Sequence, residues 1–220
     1  MKKALITGIT GQDGSYLTKY LLGRDYKVYG LIKDSSVNNL DNLRYLEVID
    51  RVELVKADVT SISSVRTILE SIRPDEIYNL VAQSSVANSF NQPAVTMEFN
   101  VMTTLNLLES MRILSLNAKF YQASSSEMYG KVKSLPVVED SVLHPVSPYA
   151  ISKAAGHWLA MNYREAYGMF CCCGILFNHE SFLRPPNYVT KKIVSSAVRI
   201  LKGSREKLTL GNVEIKRDWG

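Results

Sequence analysis

Ala4-Leu5-Ile6-Thr7-Gly8-Ile9-Thr10-Gly11-Gln12-Asp13-Gly14 is the stretch whose reading decides the fold. Ala4–Thr7 is a short apolar run and reads as a buried strand. Ser15–Leu22 reads as a helix with Tyr16, Leu17, Tyr20 and Leu21 on one face. Between them Gly8 and Gly11 permit a tight turn and the close approach of a pyrophosphate. The helix N-terminus offers free N–H groups and a positive dipole end to that anion. Gly14 lets the helix pack close to the strand. The spacing is G-x-x-G-x-x-G rather than the G-x-G-x-x-G of ordinary dinucleotide folds, so its weight comes from its place at the first strand–helix junction. Gly8, Thr10, Gly11, Gln12, Asp13 and Gly14 are the candidate cofactor contacts of this loop.

Outward from the loop, apolar runs alternate with helical stretches. Strands are expected at 27–32, 52–56, 76–81, 119–123 and 170–176, and helices at 61–72, 97–114, 149–167 and 189–201. This alternation implies right-handed crossovers and an α/β, doubly wound parallel sheet of the Rossmann type, which binds ligands at the carboxyl ends of its strands. A dinucleotide-binding domain is expected over 1–176, and the start of a substrate-binding region over 177–220. Trp219 lies next to the last residue with no closing element after it, so a truncated or disordered C-terminal substrate domain is expected.

Composition narrows the class. Hydrophobic residues make up 46% of the 220, enough for a sizeable core. The net charge of +5 is scattered, with pairs such as Lys191-Lys192 rather than a basic stripe, which fits a solvated surface or an anionic ligand and not nucleic acid. Cys171, Cys172 and Cys173 are consecutive; neighbours on a strand point to opposite faces, so they read as reduced thiols rather than a disulfide framework. No Cys/His spacing suggests a metal, and no segment approaches a membrane span. The apolar run after Lys2-Lys3 is too short for a signal peptide and is broken at once by Gly8. A cytoplasmic location is expected.

The end of the second strand selects between dinucleotides. Lys33 favours a 2′-phosphate and NADP, whereas Asp34 favours a free 2′-hydroxyl and NAD; an ordinary charged turn would look the same. Asp58, after the third strand, is placed to reach an adenine or to stand at a helix N-terminus beside Thr60 and Ser61. Tyr149 and Lys153 stand at i and i+4 on one helical face. An ammonium beside a phenol stabilises the phenolate, so Tyr149 can serve as a base near neutral pH, and Lys153 can also bind the nicotinamide ribose. Ser125 and Glu127 lie where the fifth strand ends. Simple hydride transfer between alcohol and ketone needs only tyrosine, lysine and serine; a carboxylate in the same pocket can also take a carbon-bound proton.

Together these motifs resemble the extended short-chain dehydrogenase/reductase superfamily. TGITGQDGSYL, PDEIYNL, FYQASSSEMYGKV, SPYAISK, NYREAYGMF, GILFNHES and KRDWG, which run from residue 6 to the last, resemble the GDP-mannose 4,6-dehydratases. The resemblance implies a lyase that converts GDP-mannose to the 4-keto-6-deoxymannose nucleotide, with NADP as hydride carrier and a homo-oligomer, dimer or tetramer. It implies Ser125, in the place of a threonine, to position the sugar, Glu127 as acid/base, Tyr149 as base and Lys153 as its partner. Val59, Leu80, Ala82, Ser84, His179 and Arg184 are implied as cofactor contacts, and Ser85, Asn178, Lys192 and Arg217 as substrate contacts. Lys33-Asp34 stand where the family usually has two arginines, and Phe182-Leu183-Arg184-Pro185-Pro186 where it has Pro-Arg-Arg-Gly. A 4-reductase or epimerase, which would not require Glu127, and a non-catalytic dinucleotide-binding fragment are the alternatives.

Overall fold

The computed structural model describes residues 1–33 and 39–219. Asp34 therefore lies outside the described residues. Two compact units divide the chain, Met1–Leu176 and Phe177–Gly220.

In the first unit β1 (Lys3–Thr7), β2 (Lys27–Ile32), β3 (Glu53–Lys56), β4 (Glu76–Asn79), β5 (Lys119–Ser125) and β6 (Cys171–Leu176) form one sheet in the order β3-β2-β1-β4-β5-β6. Every strand pair is parallel. The strand order reverses between β1 and β4, and a crevice opens there at the carboxyl ends. Helices α1 (Gln12–Leu22), α2 (Asp41–Tyr45), α3 (Ile62–Ile72), α4 (Val86–Asn91), α5 (Pro93–Ile113) and α6 (Pro148–Tyr167) complete the unit. Its main core joins Leu5, Ile77 and Phe120 of the sheet to Val65 and Leu69 of α3, Leu107, Leu108 and Met111 of α5, and Ala160 and Tyr163 of α6.

Two expectations are corrected. The buried face of α1 is Gly14, Ser15, Thr18, Leu21 and Leu22, while Tyr16 and Tyr20 are exposed. The cause is close packing. A Cβ on Gly14 would run into the Gly8 carbonyl and lie 2.7 Å from Ile9 Cα. Ser15 and Thr18 can be buried because their hydroxyls donate to the carbonyls of Ile9 and Gly14, at 3.0 and 2.7 Å. Tyr20 is occupied from outside by the Arg24 guanidinium, 3.9 Å from its ring centroid. Second, α5 begins four residues earlier than the apolar pattern implied, because Pro93 occupies its first turn, where a missing N–H costs nothing. The short helices α2 and α4 carry too few apolar residues to show a period.

Helix α5 buries polar residues among its apolar ones. Thr96, Thr103 and Thr104 each donate to the carbonyl four residues back. Asn106 donates to Val59 O at 3.1 Å, tying the helix to the segment after β3.

The second unit contains α7 (Val189–Leu201) and an isolated parallel bridge between Asn178 and Trp219. No helix among the described residues is long and apolar enough to cross a membrane.

Candidate active site

The glycine loop is shaped by what cannot fit in it. Gly8 has φ +72°, and a Cβ there would meet Val81 N at 2.9 Å. Only glycine adopts this turn without strain while β4's continuation passes so close. Gly11 N donates to Gly8 O at 3.0 Å, and Gly11 then caps α1 without a side-chain bond. Asn42 of α2 donates to Thr10 O at 2.9 Å and holds the loop from outside.

Beside the loop lies a cleft of about 340 Å³. Thr7, Gly8 and Thr10 form one wall, Leu31, Ile32 and Lys33 another; Ala57, Val59, Val81, Ala82, Gln83, Val95 and Phe99 close it. Of the expected cofactor contacts, Gly8, Thr10, Lys33, Val59 and Ala82 line this cleft. Lys33 lies over the Phe99 ring, with Nζ 4.2 Å from its centroid. Largely apolar walls beside a glycine turn and a helix N-terminus suit an adenosine diphosphate. Asp58 is not among the lining residues. Its carboxylate accepts from the backbone N and hydroxyl of Thr60, at 3.0 and 2.6 Å, and those bonds hold it below its ordinary range. Ser61 rather than Asp58 caps α3, accepting from Ser64 N.

A buried hydrogen-bond network ties this crevice to α6. Thr7 Oγ1 donates to Asn79 Oδ1 at 2.7 Å and accepts from Leu80 N and Val81 N. Asn79 Nδ2 donates to Gln122 Oε1 at 2.8 Å and to Thr104 Oγ1 at 3.1 Å. Asn100 of α5 accepts from Gln83 N and donates to Ser152 Oγ, both at 2.8 Å. Ser152 lies on α6 between Tyr149 and Lys153 and donates to Tyr149 O. Thr7, Asn79, Asn100 and Gln122 were not anticipated. Their signal in the sequence was weak: a hydroxyl and three amides within otherwise largely apolar elements, where they require buried partners.

Helix α6 starts at Pro148 with Ser147 as its cap, Oγ accepting from Ala150 N at 3.1 Å. This start brings Tyr149 and Lys153 inward, both buried. Lys153 Nζ donates to Ala123 O at 2.8 Å and lies 5.9 Å from the Tyr149 ring centroid. Burial pushes the ammonium down to about 8, and the Asp13 carboxylate opposes that fall. Ser125 is the last residue of β5; its Oγ accepts from Glu127 N at 3.3 Å and opens a 3-10 turn, Ser126–Tyr129, against which α6 packs. One strand end and one helix thus present Ser125, Glu127, Tyr149 and Lys153 within the same unit. Ser85 caps α4 and accepts from Asn88 N; Leu80 and Ser84 fall in the segment between β4 and α4.

The remaining expected contacts belong to the second unit. Asn178 donates to Asp218 O at 3.2 Å, and His179 Nδ1 to Phe177 O at 2.8 Å. Arg184 pairs with Glu180 at 3.1 Å and stacks on Tyr188. Lys192 donates to Thr209 O and Arg217 to Lys216 O. Among the described residues no cluster of three or more His, Cys, Asp or Glu could hold a metal ion.

Residues 5–220 match the family model described as GDP-mannose 4,6 dehydratase. The chain belongs to the GDP-mannose 4,6-dehydratase family. Over its whole length it is 49% identical to GDP-mannose 4,6 dehydratase 2 of Arabidopsis thaliana and 46% identical to the GDP-mannose 4,6-dehydratase of Vibrio cholerae. It spans 61% of each of those proteins. Among solved structures, the UDP-glucose 4-epimerase of Thermotoga maritima superposes with a TM-score of 0.85 at 26% identity, covering 99% of this chain and 68% of that one. The dTDP-glucose 4,6-dehydratase of Streptomyces venezuelae, solved with NAD bound, gives 0.80 at 27% identity over 90% and 62%. This chain and these neighbours thus share one fold, and a shared fold does not by itself fix a shared chemistry.

Proposed function

We propose that the full gene product dehydrates GDP-mannose to its 4-keto-6-deoxy nucleotide. The observation that carries this reading is Glu127, held in the turn that continues β5 and packed against the helix of Tyr149 and Lys153. An epimerase or reductase has no use for a second base at that place.

A nicotinamide dinucleotide, when bound, would supply the hydride acceptor that oxidation at C4 of the hexose needs and the hydride donor that reduction at C6 needs. Gly8, Thr10, Lys33, Val59 and Ala82 would hold its adenosine half, with Gly11, Gln12, Asp13 and Gly14 at the diphosphate; Leu80, Ser84 and Asp58 are proposed as outer contacts. Lys33 favours NADP. Tyr149 Oη takes the proton of the C4 hydroxyl, and Lys153 stabilises the phenolate. A 4-ketone acidifies the proton on C5, which passes to the Glu127 carboxylate. The same carboxyl then gives a proton to the departing C6 hydroxyl, so water leaves across C5 and C6. Ser125 holds the sugar by its hydroxyl. Ser85, Asn178, Lys192 and Arg217 are proposed at the substrate, His179 and Arg184 at the cofactor.

A homo-oligomer is part of the same proposal, supported by the exposed Ile151 and Trp158 of α6. A reducing, cytoplasmic setting is supported by the buried thiols of Cys171 and partly buried Cys173, both pushed up to about 11 by burial. The test is direct: incubate the gene product with GDP-mannose and NADP and weigh the nucleotide product. Loss of one water supports the reading; an isobaric epimer or unchanged substrate rejects it.

A further inference from the structure

Helix α6 grips β5 at three successive residues, and only one of the three grips involves the catalytic lysine. Gly156 lies so close to Gln122 that a Cβ there would stand 3.3 Å from Gln122 Nε2. Lys153 donates to Ala123 O at 2.8 Å. His157 Nδ1 meets Ser124 Oγ at 3.0 Å, and Ser124 is buried. Tyr149, Lys153 and His157 stand at i, i+4 and i+8, so one stripe of α6 carries the base, its partner and this third contact. Cys173 on β6 lies on the other side, its Sγ donating to His157 O at 3.8 Å. The His157 backbone is thus held from β6 while its ring engages β5.

We propose that His157 is a positioning residue: through Ser124 it fixes the end of β5, and with it Ser125 and Glu127, against Tyr149 and Lys153. The order of residues makes the case. Ser124 immediately precedes Ser125, and the Glu127 amide is held by Ser125 Oγ. A strand end that shifts at Ser124 moves both groups that face the sugar. Burial holds the imidazole below its ordinary range, with the Arg164 cation adding to the effect, so the ring is neutral at neutral pH and its Nδ1 can accept the Ser124 proton. Catalytic geometry is unforgiving, and misplacement by about 1 Å can cost about a hundredfold.

This inference rests on the proposed dehydration only for its kinetic arm. The structural arm uses the 220-residue chain and needs no turnover. His157→Leu should speed hydrogen exchange in peptides covering 123–129 while leaving those of β1 and α1 unchanged. His157→Asn, whose amide can stand in for Nδ1, should restore the protection. In the full gene product His157→Leu should lower kcat about ten- to a hundredfold with KM for GDP-mannose changed less than about threefold. Ser124→Ala should do the same, and the double variant should fall no further. Unchanged exchange at 123–129 overturns the inference whatever the enzyme's activity, as does failure of His157→Asn to restore it. Additive losses in the double variant would also overturn it. An inactive wild type would count against the dehydratase reading alone, with the exchange result still deciding the role of His157.

Discussion

The ammonium of Lys153 is buried in α6 and donates to the carbonyl oxygen of Ala123 at 2.8 Å. Desolvation depresses this group to about 8, from an ordinary value of 10.5. Between those values the unfolded chain binds more protons than the folded one, so this group makes stability rise with pH there. Below about pH 8 the buried charge costs its full penalty. Lys153→Met has no such proton. Wild type should therefore gain stability relative to Lys153→Met from pH 8 to 10, by no more than about 3 kcal/mol. Urea unfolding at three pH values measures it; a difference that is flat or falls with pH contradicts the assignment.

Gly14 tests the packing of the dinucleotide loop. A Cβ there would meet backbone atoms of Gly8 and Ile9 within 3 Å, so Gly14→Ala should destabilise by about 1–3 kcal/mol and weaken dinucleotide binding. Gly168, at φ +65° with open space where a Cβ would stand, is the control. Gly168→Ala should cost about 1 kcal/mol from backbone strain alone and leave dinucleotide affinity unchanged. Thermal melts and dinucleotide titration separate the two.

Much of this was legible in the sequence for physical reasons. β1 and β2 read as near-continuous apolar runs because the middle of a parallel sheet is covered on both faces, and α6 is bounded by Ser147-Pro148 and Gly168, so its register and the Tyr149–Lys153 pair followed directly. The burial of α1 did not follow, because Gly14, Ser15 and Thr18 pack by smallness and by internal hydrogen bonds rather than by hydrophobicity. Asn100, Gln122 and His157 were equally silent. The side-chain partners that matter here, Gln83, Thr104 and Ser124, lie 17 or more residues away along the chain, so no local spacing announces them.

Lys33 lines the cleft and rests over Phe99. If it meets a 2′-phosphate, Lys33→Ala should weaken NADP binding roughly tenfold and NAD binding less than about twofold. Asp34→Arg should strengthen NADP binding by adding a second cation. Fluorescence titration with both dinucleotides checks this, and a wild type that strongly prefers NAD would make Asp34 the ribose contact instead.

Tyr149→Phe keeps the buried ring but removes Oη. Melting temperature and dinucleotide affinity should hold, while kcat falls at least about a hundredfold. Near-normal turnover by this variant would remove Tyr149 from the proton transfer.

The most direct measurement is the fate of the C5 proton. In D2O the full gene product should convert GDP-mannose to a nucleotide that has lost one water and carries solvent deuterium at C5, because Glu127 takes that proton and solvent exchanges it. Glu127→Gln, folded and still binding dinucleotide, should form neither the dehydrated product nor C5 deuterium at a measurable rate. Dehydration and C5 labelling by Glu127→Gln at the wild-type rate would contradict the account, leaving Glu127 a structural residue of the turn after β5.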